Sequence, residues 1–423
     1  MRPEPRVLVV GTTSDYVHWI RQSCPGQALF VTDPPIRTRA LEPPPPPDEE
    51  ILCDLTDGDR VRQALASHMA AYRQRLTGIA CFDCESMALA ATLSRDYNLP
   101  YPTAAAVENC RNKYRSNILW QSRHLNTPPV KRVRSATAAA HFQNALKAPV
   151  VLKPVSGSGS ELVFVCSDAR ACRQNFQRIR HGLRLRRHQR LYAGFSDQAP
   201  DILAEAMIDG QEYSCDFIVN NGQCEVIRLT RKIPAATGPF GTIRAYLLES
   251  GAPAGIRGRD FHQTLMKSAS ALGIDGAVCM LDFIVNQGRM VLLELAPRPG
   301  GDCLPFLLRR AYHLDMLRLQ IDFARRAPLH RATPAPAESW VGLRVHAHAE
   351  GVVRRIHTEA LQGDPRIREV HLQRRPGHRI TLPPEDYDTW LLGHVIFTPD
   401  DASAVETQCR DLAAAVRVEW EPA

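Results

Sequence analysis

A chain of 423 residues, 44% apolar and 23% charged, is long enough for two to three domains and has the composition of an ordinary globular protein. No apolar run nears the roughly 18 residues of a membrane helix, and Val7 to Val10 is too short for the core of a signal peptide, so the reading is a cytoplasmic protein with no membrane partner. The net charge of +7 is modest, and twelve Cys without a paired spacing give no disulfide framework.

The first stretch, Arg6 to Tyr16, reads as a buried strand, a Gly turn and a helix, like the opening of a doubly wound sheet but without a full G-x-G-x-x-G. Strands at Ala28 to Thr32 and Gly78 to Phe82 alternate with helices around Arg60 to Arg75 and Ser86 to Asp96, which is the rhythm of a parallel α/β sheet. Pro43 to Pro47 form a stiff polyproline spacer. Cys81 and Cys84 form the single C-x-x-C, and with no second pair they read as structural thiols.

A helix runs from about Asn112 to Arg123, followed by a strand and a helix within Arg132 to Leu146. Val150 to Val165 gives two strands around a Ser/Gly loop. Arg178 to Arg190 is a basic run without aromatics, read as a solvated helix end rather than a nucleic-acid groove. Strands near Ile202 to Met207, Glu212 to Asn220 and Gln223 to Arg231 read as one antiparallel sheet, and a helix covers Arg259 to Leu272. Strands Ala277 to Asn286 and Met290 to Leu295 meet at Gln287-Gly288, and Ala327 to Ser339 has the composition of a linker. Beyond it, short strands, Gly/Pro turns and a helix near Ala404 to Val416 make a small α+β unit. The domains expected are an N-terminal α/β unit at 1–110, a central unit at 111–330 with a subdomain at about 145–205, and a C-terminal α+β unit at 335–423.

Several side chains in this order carry chemistry. Only six of the 52 basic residues are Lys, so a retained Lys hints at a slim point charge such as phosphate contacts use. Lys153 ends a strand directly before Ser156-Gly157-Ser158-Gly159-Ser160, where glycines let backbone N–H groups approach an anion and serines add hydroxyls. Asp282 lies about five residues before the hairpin turn and Glu294 about six after it, which sets the two carboxylates side by side on one sheet face. Such a pair either holds a cation, Mg²⁺ where phosphates are present, or is an acidic pair facing solvent. His346 and His348 alternate on a strand without a third metal ligand.

These pieces together resemble the ATP-grasp superfamily, from Asn112 to about Asp315, with the preceding unit like that family's N-terminal sheet. The resemblance implies that Lys113, Lys153 and the loop Ser156 to Ser160 contact ATP from the lid side. It implies that Glu205, Ala206 and Met207 line the adenine, largely through backbone, and that Glu212 takes the ribose. Asp282 and Glu294 would hold Mg²⁺ (or Mn²⁺), and Arg298 would neutralise the transferring phosphoryl group. Lys232 and Arg244 would serve as further phosphate or substrate cations. Many members read E-x-N-x-R where this chain has Glu294-Leu295-Ala296-Pro297-Arg298, and Ala296 cannot ligate a metal. This variant looks like that of some purine-pathway carboxylases of the same fold.

The segments starting at Val341, Arg366 and Leu391 resemble the closing domain of the L-amino-acid ligase type of carboxylate–amine ligase, as do Glu85 and the run Arg298-Pro299-Gly300-Gly301-Asp302. The implied activity is ATP-dependent amide formation through an acyl phosphate, with ADP and phosphate released. Glu85, Gly300, Gly301 and Asp302 are then substrate candidates, the partners are small carboxylates and amines rather than nucleic acid, and the chain is a monomer or homodimer. Two alternatives stay open: a carboxylase that activates bicarbonate, and a non-catalytic nucleotide-binding protein.

Overall fold

The computed structural model describes residues 3–192, 196, 201–329 and 338–422. The expected linker from Ala327 to Ser339 lies largely outside them.

The chain opens with β1 (Glu4–Val10), α1 (Ser14–Ser23), β2 (Ala28–Thr32), α2 (Pro34–Thr38), β3 (Glu50–Leu52), α3 (Gly58–Tyr72), β4 (Gln74–Ala80), α4 (Met87–Asp96) and α5 (Ala104–Arg111). The four strands make a parallel sheet in the order β3-β2-β1-β4. Its strands read as unbroken apolar runs because helices cover both faces. Helix α3 stops earlier than its apolar pattern suggests, since Arg73 turns left-handed at φ 52°. That releases Gln74 to start β4 four residues before the expected Gly78.

Next come α6 (Lys113–Ser122), β5 (Val130–Val133), α7 (Ala136–Leu146), β6 (Val150–Pro154), β7 (Phe164–Cys166), α8 (Ala169–Leu185) and β8 (Ile202–Ala206). Asn112 caps α6 by accepting from the Arg115 amide, and Ser135 and Asp168 cap α7 and α8 the same way. Strands β5-β8-β6-β7 form a separate antiparallel sheet, which α7 and α8 cover. This small body is the lid. Its sheet takes in β5, upstream of residue 145. The strand at Ile202 therefore does not share a sheet with the two that follow it, as the sequence suggested. Its partners are β5 and β6, because Ala206 ends it before the chain crosses to the central body.

The central body continues with β9 (Gln211–Asn220), β10 (Gln223–Pro234), β11 (Ile243–Glu249), α9 (Gly258–Ala271), β12 (Ala277–Asn286), β13 (Arg289–Ala296), α10 (Leu304–Tyr312) and α11 (Met316–Ala324). The last part holds β14 (Val341–His346), β15 (Gly351–His357), β16 (Ile367–Leu372), β17 (Arg379–Ile380), β18 (Leu391–Phe397), α12 (Val405–Ala415) and β19 (Arg417–Trp420). One sheet runs through both, in the order β13-β12-β9-β10-β11-β14-β18-β16. The β11–β14 ladder joins them, pairing Ala245 with Leu343. Helices α10 and α11 close the core against α1 and the parallel sheet.

The hairpin β12–β13 turns at Gln287 and Gly288, both at positive φ, as a two-residue hairpin turn of the twisted kind requires. Asp282 pairs with Glu294 while Phe283 pairs with Leu292, so Leu293 is the extra residue of a bulge. The bulge explains why five residues on one strand match six on the other.

Candidate active site

A cleft of ≈ 390 Å³ opens between the lid and the central sheet. Its roof is Lys153 on β6 and the loop Gly157 to Glu161. Gly159 takes φ +65°, a conformation that costs glycine nothing, and Ser160 Oγ donates to the Gly241 carbonyl at 2.9 Å, tying loop to floor. The back wall is Glu205, Ala206, Met207 and Ile208, where the lid meets the central body. The Ala206 and Met207 amides donate to the Pro129 and Pro149 carbonyls, which fixes this crossing strand.

A chain of ion pairs runs from roof and back wall to floor. Lys153 Nζ lies 2.7 Å from Glu205 Oε1, Lys113 Nζ 3.0 Å from Glu294 Oε2, and Lys232 Nζ 2.7 Å from Glu212 and 2.6 Å from Asp282. Lys113 also donates to the Gly157 carbonyl at 2.7 Å. It therefore stands on α6 and bridges loop to floor rather than belonging to the lid alone. Three ammonium groups face four carboxylates in one cleft. Burial pushes the Glu294 carboxyl up, but Lys113 first and Lys153 and Lys232 after it pull harder, leaving it at about 2. Asp282 and Glu212 raise Lys232 against the opposing effect of its burial. Glu205 Oε2 and Asp282 Oδ1 are buried with no hydrogen-bond partner.

At the far end, Arg298 Nε and Nη2 lie 3.2 and 3.0 Å from Cys84 Sγ, and Nη1 donates to its neighbour's carbonyl, Pro299 O, at 2.7 Å. Cys84, expected to be purely structural, thus touches the cleft arginine, whereas Cys81 is buried. The loop after Arg298 is pinned from below. Gly300 N donates to Asp216 Oδ1 at 3.0 Å, and Asp216 forms a two-pronged pair with Arg228 at 2.7 and 3.1 Å, both side chains fully buried. A Cβ on Gly300 would stand 2.5 Å from Arg228 Nη2, so only glycine lets the loop come this close. Gly301, Asp302, Arg344, Tyr246, Tyr387 and Trp390 complete this end.

Most sequence-expected residues gather here, and a few do not. Arg244 does not line the cleft. It sits where β10 and β11 slip register, and its charge is felt by His346 and Cys409 on the C-terminal side. Arg344, one strand over on β14, reaches the cleft instead, pairing with Asp302 and donating to the Ile243 carbonyl at 3.0 Å. Ser156 and Gly300 lie outside the lining, as does Glu85, which faces Arg190 at 3.5 Å. Arg190 also reaches Asp33 and Ser86. Arg186 is buried, pairs with Glu161 and donates to the carbonyls of Pro384 and Glu385 at 2.8 Å each. The basic run is therefore not merely a solvated end. His346 closes β14 with its ring on Trp390 at 4.3 Å, and His348 lies beyond the strand. The sequence signals for Asp216 and Arg344 were charges set among apolar neighbours, whereas Arg228 stands among other charges on β10 and gave no such signal.

Two family models match this chain: an ATP-grasp domain over residues 146–305 and an L-amino acid ligase C-terminal domain over residues 345–421. Residues 146–305 thus match an ATP-grasp domain, and the chain has the fold of solved ATP-grasp structures. A solved L-amino acid ligase from Bacillus licheniformis superposes with a TM-score of 0.75 over 100% of both chains at 16% identity. Protein y4rH of Sinorhizobium fredii is 24% identical over 74% of this chain, and carnosine synthase 1 of Mus musculus 23% identical over 60%. The chain spans 62% of the first and 31% of the second.

The carboxylates of the cleft bear on whether a metal fits there. Among the described residues no group of three or more His, Cys, Asp or Glu could hold an ion. Asp282 and Glu294 nevertheless face each other across the hairpin, and Asp282 Oδ1 lacks a partner. Mg²⁺ fits such a place, since it takes one or two carboxylates and completes its shell with waters and phosphate oxygens.

Proposed function

We propose that this ATP-grasp protein is an ADP-forming carboxylate–amine ligase that joins small molecules, at least one of them an amino acid, by an amide bond. The observation that carries the reading is the chain of Lys–carboxylate pairs under the Ser/Gly loop. Each ion there is neutralised by a protein partner. A nucleotide triphosphate with its magnesium offers five of these seven ions a new partner: phosphate oxygens for Lys113, Lys153 and Lys232, and a divalent cation for Asp282 and Glu294; Glu212 would take the ribose hydroxyls, and Glu205 stays with Lys153. Buried ions require such matched exchange, because an unpaired one costs several kcal/mol.

Bound Mg²⁺ would neutralise charge on the phosphates as the phosphoryl group moves to the substrate carboxylate. The chain's own residues do the rest. Lys153 and the loop Gly157 to Ser160 cover the phosphates. Glu205 keeps Lys153 in place. Arg298 stands where charge develops on the acyl phosphate and on departing phosphate, and Asp216 holds its loop through Gly300. The amine nitrogen then forms the bond to the acyl carbon as the bond to phosphate breaks, with loss of its proton. The closed cleft favours this over hydrolysis.

Support for amino-acid chemistry comes from the matched C-terminal domain, whose segment between β17 and β18 contributes Tyr387 and Trp390 to the cleft, with Arg344 on β14 one residue before the matched segment. We take the protein to work in the cytoplasm as a monomer or homodimer. No helix among the described residues is long and apolar enough to cross a membrane. The deciding experiment supplies amino acids in pairs with Mg²⁺ and ATP and measures the nucleotide product. ADP with amide formation is expected, and AMP would refute the mechanism. The run Glu294-Leu295-Ala296-Pro297-Arg298 favours one second reading, a bicarbonate-activating carboxylase. Nucleotide turnover on bicarbonate with no amino acid present would establish it.

A further inference from the structure

A second cavity lies at the other end of β9 from the cleft. Glu212, near the start of that strand, lines the cleft, and Asn220, at its end, lines the cavity. Measured alike, the cavity holds ≈ 730 Å³ against ≈ 390 Å³ for the cleft, a size typical of small-molecule sites. Pro297 lines it, while the next residue, Arg298, lines the cleft. Its wall on α11 is closely seated. A Cβ on Gly78 would stand 2.3 Å from the Ala324 carbonyl oxygen, so only glycine lets α11 lie this near β4. Arg326 then turns left-handed at φ 57°, and the Ala327 amide donates to the Asp322 carbonyl at 2.9 Å, which folds the chain back along the cavity.

One polar side chain of this cavity is left unsatisfied. Gln320 on α11 is 4% exposed and lines the cavity, and its Oε1 is buried without a hydrogen-bond partner. An acceptor left so is costly, and a ligand donor recovers the cost. A carboxamide sets an N–H donor beside a carbonyl acceptor, so its best partner carries the matching pair on one edge. Nucleobases do, and glutamine takes adenine N6 and N7 in this way. A linear peptide bond does not, because its trans geometry points N–H and C=O apart. Tyr101 and Phe323 line the same space, and aromatic rings give a base a face to stack on. The charged residues of the lining are Glu225, Asp275 and Arg326, all exposed. Two carboxylates against one guanidinium oppose a phosphate, but they can accept from sugar hydroxyls.

We infer that this cavity is a second ligand site, for an uncharged nucleoside or free base that Gln320 holds by the edge of its base. The site is separate from the cleft, and the step from Pro297 to Arg298 stands between them. The inference goes beyond the ligase reading and does not depend on it, since binding is measured here without turnover.

The test uses calorimetry on the full chain, with saturating Mg²⁺ and a non-hydrolysable ATP analogue so that the cleft is filled and cannot report. The probes are the common nucleosides, each beside a form methylated to remove its edge N–H groups and beside its 5′-monophosphate. At least one nucleoside should bind to saturation, roughly tenfold or more tightly than its methylated and phosphorylated forms. Gln320→Leu should weaken that binding roughly tenfold or more, and it removes an unpaired polar group from a buried place, which does not threaten the fold. Ala327→Trp, at a half-buried position of the lining, should fill the cavity and abolish binding. Cooperative melting of both variants shows that the loss is local. The inference is overturned if no nucleoside binds, if the methylated forms or the monophosphates bind as tightly, or if binding is unchanged in either variant.

Discussion

Glu294 shows how much one side chain in this cleft is asked to do. It pairs with Lys113 and faces Asp282 across the hairpin, and its carboxyl is held at about 2. Glu294→Gln keeps the shape and can still accept from Lys113, but it removes one of the two charges available to magnesium. Mg²⁺-dependent ADP release should fall on the order of 100-fold, with a raised Mg²⁺ requirement. Unchanged turnover at limiting Mg²⁺ would count against the metal assignment. His394 makes a different residue-scale prediction. A histidine lowered from 6.5 to about 4 binds a proton in the unfolded chain before the folded one does. Folding stability is therefore full above about pH 6.5 and declines as pH falls toward 4, by on the order of 3 kcal/mol for this group alone. Urea midpoints between pH 7.5 and 5 should show the slope, and His394→Leu should flatten it. An identical slope in the variant would assign the effect elsewhere.

At the scale of elements, the cleft depends on a loop tied to a sheet. The Arg298-to-Asp302 loop is anchored through Gly300 to Asp216 on β9, and Asp216 is held by Arg228 on β10. Arg228 also donates to the Ser214 carbonyl and to Thr230 Oγ1, so the pair is satisfied on most sides. Removing one member leaves a buried charge alone, and Asp216→Ala should cost roughly 3–5 kcal/mol in denaturant unfolding. Replacing both with apolar residues of similar size, Asp216→Leu with Arg228→Met, should restore most of that stability. It should not restore turnover, because Gly300 N still lacks its acceptor. Recovery of turnover together with stability would mean that the pair serves the core and not the loop. The lid has a comparable tie. Arg186 on the turn after α8 reaches the carbonyls of Pro384 and Glu385, and Tyr192 Oη donates at 2.7 Å to Glu161, which Arg186 also pairs with. Arg186→Gln should speed amide exchange across the lid strands β6 and β7 and raise the KM for ATP severalfold, leaving exchange in β1 and β2 unchanged. Equal exchange in the lid would show that this contact holds nothing closed.

The molecule as a whole was legible in the sequence where the signal was local. The βαβ rhythm marked the parallel sheet, the Ser/Gly loop after Lys153 marked the roof, and counting outward from Gln287-Gly288 placed Asp282 opposite Glu294. Less legible was whatever depended on strands meeting from distant parts of the chain. Nothing local in Ile202 to Ala206 says that its partners are β5 and β6, and nothing in Arg344 says that it replaces Arg244 at the cleft. Both follow from sheet order, which periodicity does not encode. The largest such fact is that the central sheet does not end with the ATP-grasp domain. Strand β11 pairs with β14, β18 and β16 extend beyond it, and Ile396 of β18 packs in the same core as α1 and α10. A chain stopped after residue 329 would expose the backbone edge of β11 and the apolar faces of Ala245 and Leu247. It would also lose Arg344, and with it the partner of Asp302. Such a truncated chain should aggregate on size-exclusion chromatography and lack a cooperative melt, although the matched ATP-grasp segment, 146–305, remains intact in it. A monodisperse truncated chain melting within a few degrees of the full one would show instead that the C-terminal strands are an attachment. Their contribution to the cleft would then have to be argued from substrate binding alone.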